Sequence, residues 1–324
     1  MHKRKISALV LLIIMAITIF PSCKKSDLYN NDYRDNSGSF SVHFMDVGHG
    51  DCTLIYFPDG KTMLIDTGNG QEENDEYILG FLENYGVEKI DYLVLTHPDA
   101  NHIGGTGAIA ENVQVSLCYV PHILDLNNFP KYKTALEKLT DKGAFTKVSC
   151  TGERIIGAEY LVAFLTPYPP DFSSSSYDYI NKEFPSDSEI NNVSPFIYVE
   201  YKGISFLFTG DGEALQEETL LNDENMIVAT FQNLGVTINL NNIDFLKVAD
   251  HGAEGSTTKD FIRRITPKNA VNSVDGLNSY GYPSTRVLSR LSEFSPEHNL
   301  YRTDVYGTIS VYVDTNGKVN VITD

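Results

Sequence analysis

The residues best suited to chemistry are histidines and aspartates that directly follow apolar segments of the chain. Two His and one Asp lie within residues 97–102 (HPDANH), after the segment that ends at Thr96. Asp211 and His251 follow two further apolar segments, each in a loop that contains glycine. Because the strand ends of one sheet lie along one edge, these side chains can converge, and convergent imidazoles and carboxylates are what zinc requires. A fourth segment ends at Asp66, a carboxylate that could orient the ligands.

These residues differ in how strongly they indicate a metal site. The cluster at 97–102 is a strong local signal, because three residues of ligand type follow one apolar segment so closely. Asp66, Asp211 and His251, each taken alone, fit ordinary turn or loop residues better than ligands. Three other histidines are interpreted as solvated or hydrogen-bonded within the fold: His43, His122 and His298.

Apolar periodicity predicts alternating strands and helices in one domain of residues 39–324. The predicted strands are 40–45, 52–57, 62–66, 91–96, 160–165, 196–201, 204–209 and 245–249, with a closing hairpin of 307–313 and 318–322. The predicted helices are 75–85, 131–142, 213–222, 258–265 and 285–294. Hairpins and crossovers are mixed, which predicts an α+β fold of two mixed sheets with helices on the outer faces. Residues 167–188, rich in Pro, Ser and Tyr, are predicted to form a surface insertion.

The first 38 residues predict export and attachment. Residues 1–22 combine three basic residues with a short apolar run, the pattern of a signal peptide. The residues before Cys23 resemble a bacterial lipoprotein signal, which implies a lipid on Cys23 followed by a polar tether, residues 23–38. The expected location is therefore the cell envelope, on its periplasmic or surface face, with membrane contact only through the lipid. An uncleaved N-terminal anchor is the alternative.

The net charge limits the class of substrate. The chain has 43 acidic and 25 basic residues, a net charge of −18. Without residues 1–22, which contain three basic residues and no acidic one, the net charge would be −21. Such a charge opposes an extended nucleic-acid duplex, although a metal ion can reverse the sign of the field locally. A small-molecule or cell-envelope substrate fits this charge better.

In its motifs the sequence resembles the metallo-β-lactamase fold, and more narrowly the hydrolase domain of ComEC-type DNA-uptake competence proteins. The matching stretches, in the family's order, are 44–51 (FMDVGHGD), 64–68 (LIDTG), 95–105 (LTHPDANHIGG), 207–211 (LFTGD), 246–252 (LKVADHG) and 301–308 (YRTDVYGT). The resemblance implies an αββα sandwich with a site for one or two zinc ions, or manganese, at one edge. It also implies a hydrolase in which a metal-bound hydroxide attacks a phosphodiester or related bond.

The resemblance assigns a role to each candidate residue by position. One metal would be held by His97, Asp99 and His251. The other would face His102 and Asn101, with Asp211 as the bridge between the two. Asp66 would support the ligands from outside, and the predicted catalytic residues are Asp99 and Asp211.

Three positions depart from the family's pattern. Asn101 stands where the family usually has Asp, Tyr282 where it often has His, and Asp250 where it usually has the first of two His. An amide is a far weaker metal ligand than a carboxylate, so a partly degraded second site is expected, with Asp250 and Tyr282 as weak or outer ligands. The leading prediction is an extracytoplasmic metal-dependent hydrolase. The alternatives are a non-catalytic binding protein of the same fold and a structural surface protein.

Overall fold

Alternating side chains in the first strand separate the two faces of a sheet. In β1 (Phe40–Phe44) the apolar side chains Phe40, Val42 and Phe44 enter a core, whereas Ser41 and His43 point to the opposite face. This computed structural model describes residues 40–123, 125–168, 186–296 and 298–324. The predicted signal peptide, Cys23, the tether and most of the predicted insertion lie outside the described residues.

The first sheet has eight strands. Besides β1, they are β2 (Thr53–Tyr56), β3 (Thr62–Ile65), β4 (Lys89–Val94), β5 (Gln114–Val120), β6 (Phe145–Val148), β14 (Ile309–Val313) and β15 (Val319–Thr323). Their order across the sheet is β15-β14-β1-β2-β3-β4-β5-β6. The pairs from β3 to β6 are parallel and the others are antiparallel, so the sheet is mixed.

The second sheet has seven strands and, like the first, consists of a parallel part and an antiparallel part. They are β7 (Arg154–Ile156), β8 (Tyr160–Phe164), β9 (Ile197–Tyr201), β10 (Ile204–Phe208), β11 (Phe245–Lys247), β12 (Asn269–Asn272) and β13 (Asn299–Arg302). Their order is β13-β12-β11-β10-β9-β8-β7. The pairs from β10 to β13 are parallel, and those from β7 to β10 are antiparallel.

Helices cover the outer face of each sheet. The longer ones are α1 (Glu72–Asn84), α3 (Thr106–Asn112), α4 (Pro130–Asp141), α6 (Ala214–Asn233), α7 (Lys259–Ile265) and α8 (Thr285–Phe294). Short helical segments are α2 (Ala100–Ile103), α5 (Asp187–Asn191) and α9 (Thr303–Tyr306). One apolar core lies between the sheets, a second under α1, α3 and α4, and two smaller ones under α6, α7 and α8. The layers therefore run helix, sheet, sheet, helix.

The predicted fold class is confirmed, and the differences are local. The sequence predictions omitted β5, β6, β7, β12 and β13, of which all but β5 are only three or four residues long. The predicted helix 213–222 extends to Asn233, because Ile227 and Phe231 continue its buried face. In the part of the chain that the structure describes, no helix is both long and apolar enough to cross a membrane.

Candidate metal centre

The parallel halves of the two sheets bring the predicted residues to one edge. Asp66 follows β3, His97 follows β4, Asp211 follows β10, and His251 follows β11. The backbone departs sharply from extended geometry here, with φ of 59° at Asp66, 46° at Asp250 and 50° at His251. These left-handed residues turn the chain sharply after β3 and β11, at the sheet edge where Asp66 and His251 lie.

His102 is held between two aspartates. Its Nδ1 donates to Asp66 Oδ2 at 2.8 Å, and its Nε2 lies 3.1 Å from Asp211 Oδ2. Asp66 also accepts from the backbone N–H of Thr96 at 2.8 Å and from the Thr96 hydroxyl at 2.7 Å. The carboxylate of Asp66 thereby fixes which nitrogen of His102 faces Asp211.

His251 is oriented in the same way by a backbone carbonyl. Its Nδ1 donates to the Ser273 carbonyl oxygen, beyond the end of β12, at 2.8 Å. In the neutral imidazole, Nε2 then carries a lone pair; this atom lies 3.3 Å from Asp211 Oδ2 and 3.4 Å from His102 Nε2.

His97 is the third oriented imidazole. The Thr96 hydroxyl gives its hydrogen to Asp66, so it accepts from His97 Nδ1 at 3.0 Å. His97 Nε2 is buried without a hydrogen-bond partner among the described residues. It lies 3.7 Å from Asp99 Oδ2 and 3.9 Å from Asp211 Oδ2.

The donor set fits a metal cation. Three imidazoles direct Nε2 toward Asp211, and ligand atoms of His97, His102 and Asp211 lie within 4.8 Å of one another. Two Nε2 lone pairs facing each other at 3.4 Å repel unless a proton or a metal ion lies between them. A proton on His102 would satisfy that pair but leave His97 Nε2 without a partner, whereas a metal ion bound by nitrogen and carboxylate ligands would engage all of them.

The pKa values show strong electrostatic coupling. Burial opposes charge on Asp211, but His102 and His251 outweigh it and hold the pKa of Asp211 well below its usual range. Burial likewise opposes charge on His102, yet Asp211 and Asp66 raise the pKa of His102 well above its usual range. Burial and the neighbouring His102 hold the pKa of His97 well below its usual range, so His97 is a neutral imidazole, the form that binds metals.

Two buried residues of the site had no role in the sequence predictions. Lys247, the last residue of β11, forms an ion pair with Asp51 and lies 3.6 Å from Asp211 Oδ1. Its Nζ also donates to the Gly210 carbonyl oxygen at 3.1 Å. Asp51 belongs to a second group of potential metal ligands, with Asp66 and His102. A lysine inside an otherwise apolar segment, FLKVA, was the available signal, because a buried ammonium requires anionic partners.

The residues that depart from the family's pattern lie on one side, next to His251. Asn101 Nδ2 donates to His251 Nε2 at 3.1 Å. Tyr282 stacks on Tyr280, with ring centroids 5.5 Å apart. Burial, together with Asp211 and Glu213, raises the pKa of Asp250 to about 8.

His49 lies on the same side and was also missed. Its ring centroid is 4.4 Å from that of His251, 5.0 Å from Tyr280 and 6.2 Å from Tyr282. Burial and the neighbouring His251 lower the pKa of His49 to about 4. The available sequence signal was HGD, residues 49–51, which lies within six residues of the predicted strand 40–45. This sequence, in which His49 and Asp51 flank Gly50, resembles the other loops that follow strands at this edge.

Comparison with known proteins agrees with this architecture. Residues 45–172 match the family described as the Metallo-beta-lactamase superfamily. The chain is 28% identical over 288 residues to ComE operon protein 3 of Bacillus subtilis (strain 168), covering 84% of this chain and 33% of that protein. It is 26% identical over 260 residues to Recombination protein 2 of Haemophilus influenzae (strain ATCC 51907 / DSM 11121 / KW20 / Rd), covering 79% and 27%. This chain thus spans about a third or less of these curated relatives.

A solved structure shares the fold. The CmlA beta-hydroxylase E377D mutant superposes with a TM-score of 0.50 at 13% identity, covering 84% of this chain and 53% of that one. At this identity the likeness concerns the arrangement of strands and helices alone. The ComEC-type resemblance predicted from the motifs is confirmed at the level of sequence similarity.

Proposed function

We propose that this chain, which carries a metallo-β-lactamase superfamily domain, is a metal-dependent hydrolase of a phosphodiester or related ester at the cell envelope. The observation that carries the proposal is the convergence of three oriented imidazole Nε2 atoms on Asp211, one of them buried without a partner. We expect zinc as the cofactor, with manganese as the alternative, because imidazole and carboxylate ligands accept both.

Each residue has a part in holding the ion and the substrate. His97, His102 and His251 would supply nitrogen ligands, and Asp211, which faces all three, a shared oxygen ligand. A divalent ion bound there lowers the pKa of water and polarises an ester. Asp99 is the partly exposed carboxylate, with 39% of its side chain accessible, so its Oδ2 is the oxygen we assign to accept a proton near the substrate. The division of these ligands between one or two ions stays a prediction.

The proposed location and substrate class rest on the sequence. The signal-like residues 1–22 and the potential lipidation site Cys23 support an envelope lipoprotein whose only membrane contact is its lipid. The net charge of −18 supports a small-molecule or envelope substrate over duplex nucleic acid.

A non-catalytic binding protein is the second candidate, favoured by one observation. The Asn101 amide donates to His251 Nε2, the lone pair that a metal ion needs. If that hydrogen bond persists in solution when zinc is present, His251 would not bind the metal. This edge of the sheets could then still bind a small molecule, but it would lack a complete set of metal-binding residues.

The test measures metal content and hydrolysis of bis(4-nitrophenyl) phosphate by the full chain. We expect chelator-sensitive turnover that zinc or manganese restores, and a loss of about 100-fold or more in Asp211→Asn together with loss of bound metal. The matched control is Asp244→Asn, another buried aspartate, which accepts from Ser205 N at 2.9 Å at the opposite ends of β10 and β11. Bound metal without turnover on phosphodiesters or carboxylic esters would favour the binding protein, and absence of bound metal would contradict the hydrolase.

A further inference from the structure

The side of the metal centre next to His251 contains weak ligands but also an imidazole without an assigned role. Asn101 and Tyr282 stand there in place of stronger ligands. His49 Nδ1 is buried and has no hydrogen-bond partner within the described ranges. Ten buried side-chain polar atoms of the described residues have no hydrogen-bond partner, and they include four from this edge: His49 Nδ1, His97 Nε2, Asp51 Oδ1 and Asp211 Oδ1. Unpartnered buried polar atoms are rare, so their concentration here calls for a common partner.

The backbone holds His49 at this position. The loop between β1 and β2 is fastened on both sides of the centre, since Asp51 N donates to the Asn101 carbonyl oxygen at 3.3 Å and Gly68 N donates to the Asp51 carbonyl oxygen at 2.8 Å. A Cβ on Gly50 would lie 2.4 Å from the Asn101 carbonyl oxygen, so only glycine allows this approach. These backbone contacts therefore place residue 49 beside Asn101.

The ring of His49 is also held by its neighbours. It packs at 4.4 Å against His251, whose Nε2 is 3.3 Å from Asp211, and it stacks on Tyr280 with an interplanar angle of 21°. An imidazole with an unpartnered buried nitrogen, held beside a second imidazole, is the arrangement of a ligand for a borderline divalent metal.

We propose that His49 Nδ1 is a further metal ligand, which completes with His251 and Asp211 the half of the centre that Asn101 and Tyr282 leave weak. This inference rests on the proposed function, because it requires that the centre bind a metal. It changes the expected number of bound ions. A partly degraded second site predicts one tightly bound ion per chain, whereas a metal ligand at residue 49 predicts two.

The test is Co²⁺ titration of the metal-free full chain, followed by absorption of the bound ion and by elemental analysis after dialysis. We expect two equivalents for the unaltered chain. In His49→Gln we expect the second equivalent to weaken at least about tenfold, with a changed visible spectrum and the first equivalent unchanged. His49→Phe, which keeps a ring against Tyr280 but has no nitrogen, should behave like His49→Gln.

The matched control is His298→Gln, which alters a histidine that precedes β13, away from the strand ends that carry the centre. It should bind as the unaltered chain does. Equal affinity and spectra in the unaltered chain and both His49 variants would overturn the role of His49 while leaving the hydrolase proposal intact. A chain that binds no Co²⁺ at all would overturn both.

Discussion

His43 and His102 are both completely buried in the first-sheet half of the molecule, yet their surroundings differ in one decisive respect. Both ring nitrogens of His43 are occupied, Nδ1 by the Ser310 hydroxyl and Nε2 by the Ser41 hydroxyl, each at 2.9 Å. His102 has one nitrogen held by Asp66 and the other directed at Asp211 and His251.

The difference shows that burial by itself does not indicate a ligand. His43 points under α1, where its ring centroid lies 4.4 Å from that of Tyr85, and no carboxylate is hydrogen-bonded to it in the described structure. Burial lowers the pKa of His43 to about 3, so it is a neutral, fully hydrogen-bonded core residue. In the candidate metal centre the same residue type keeps one nitrogen directed at a carboxylate, the arrangement that we propose binds a cation.

The largest effect that would distinguish the surroundings of His43 from the candidate metal centre is the loss of stability expected for His43→Ala. Removing the ring leaves a cavity and two serine hydroxyls without their partner, which should lower the free energy of unfolding by about 2–4 kcal/mol. Metal content should not change. Urea unfolding with metal analysis measures both quantities, and loss of metal from a folded His43→Ala protein would contradict the division between the two regions.

A somewhat smaller effect is expected for Asp66→Asn, and it concerns metal affinity, which His43→Ala should leave unchanged. Asparagine keeps the side-chain shape and tolerates the φ of 59°, but it loses the charge that supports His102. Metal affinity should fall about 10- to 100-fold. Competition with a coloured chelator measures the affinity, and Asp244→Asn, remote from the centre, should leave it unaltered.

The smallest effect is the pH dependence that His43 contributes to stability. The pKa of His43 is about 3 in the folded chain and near 6.5 when unfolded, so between these values the unfolded chain binds more protons. The stabilisation is fully present above about pH 6.5 and decreases as the pH falls, by at most about 1.4 kcal/mol per pH unit.

His43→Gln isolates this contribution, because an amide can bond to both serines but does not titrate. Urea unfolding of both proteins at pH 7, 6 and 5 should show the unaltered chain losing stability faster than the variant. Since acid-induced loss of metal affects both proteins alike, parallel curves would show that His43 does not titrate as its burial requires.

Much of the fold could be predicted from the sequence, since the strands that lead to the centre are short apolar runs ending in Asp or His. The runs ending at Val94, Phe208 and Lys247 were identified within two residues. The strands Arg154–Ile156 and Asn269–Asn272 were missed, because polar residues or glycine flank them and they are not part of a longer apolar run, such as the one that contains Phe245–Lys247. The predicted roles of individual ligands remain to be tested by metal binding.

The sequence by itself determined which residue types follow the buried strands, and therefore that His97, His102, Asp211 and His251 could meet at one edge. Only the tertiary structure decided which nitrogen of each imidazole faces Asp211, because that depends on hydrogen bonds to Asp66 and to the Ser273 carbonyl oxygen, 36 and 22 residues away. It also placed His49 and Lys247 in the centre. Their positions depend on how two sheets pack against each other, and no local pattern of residues encodes that arrangement.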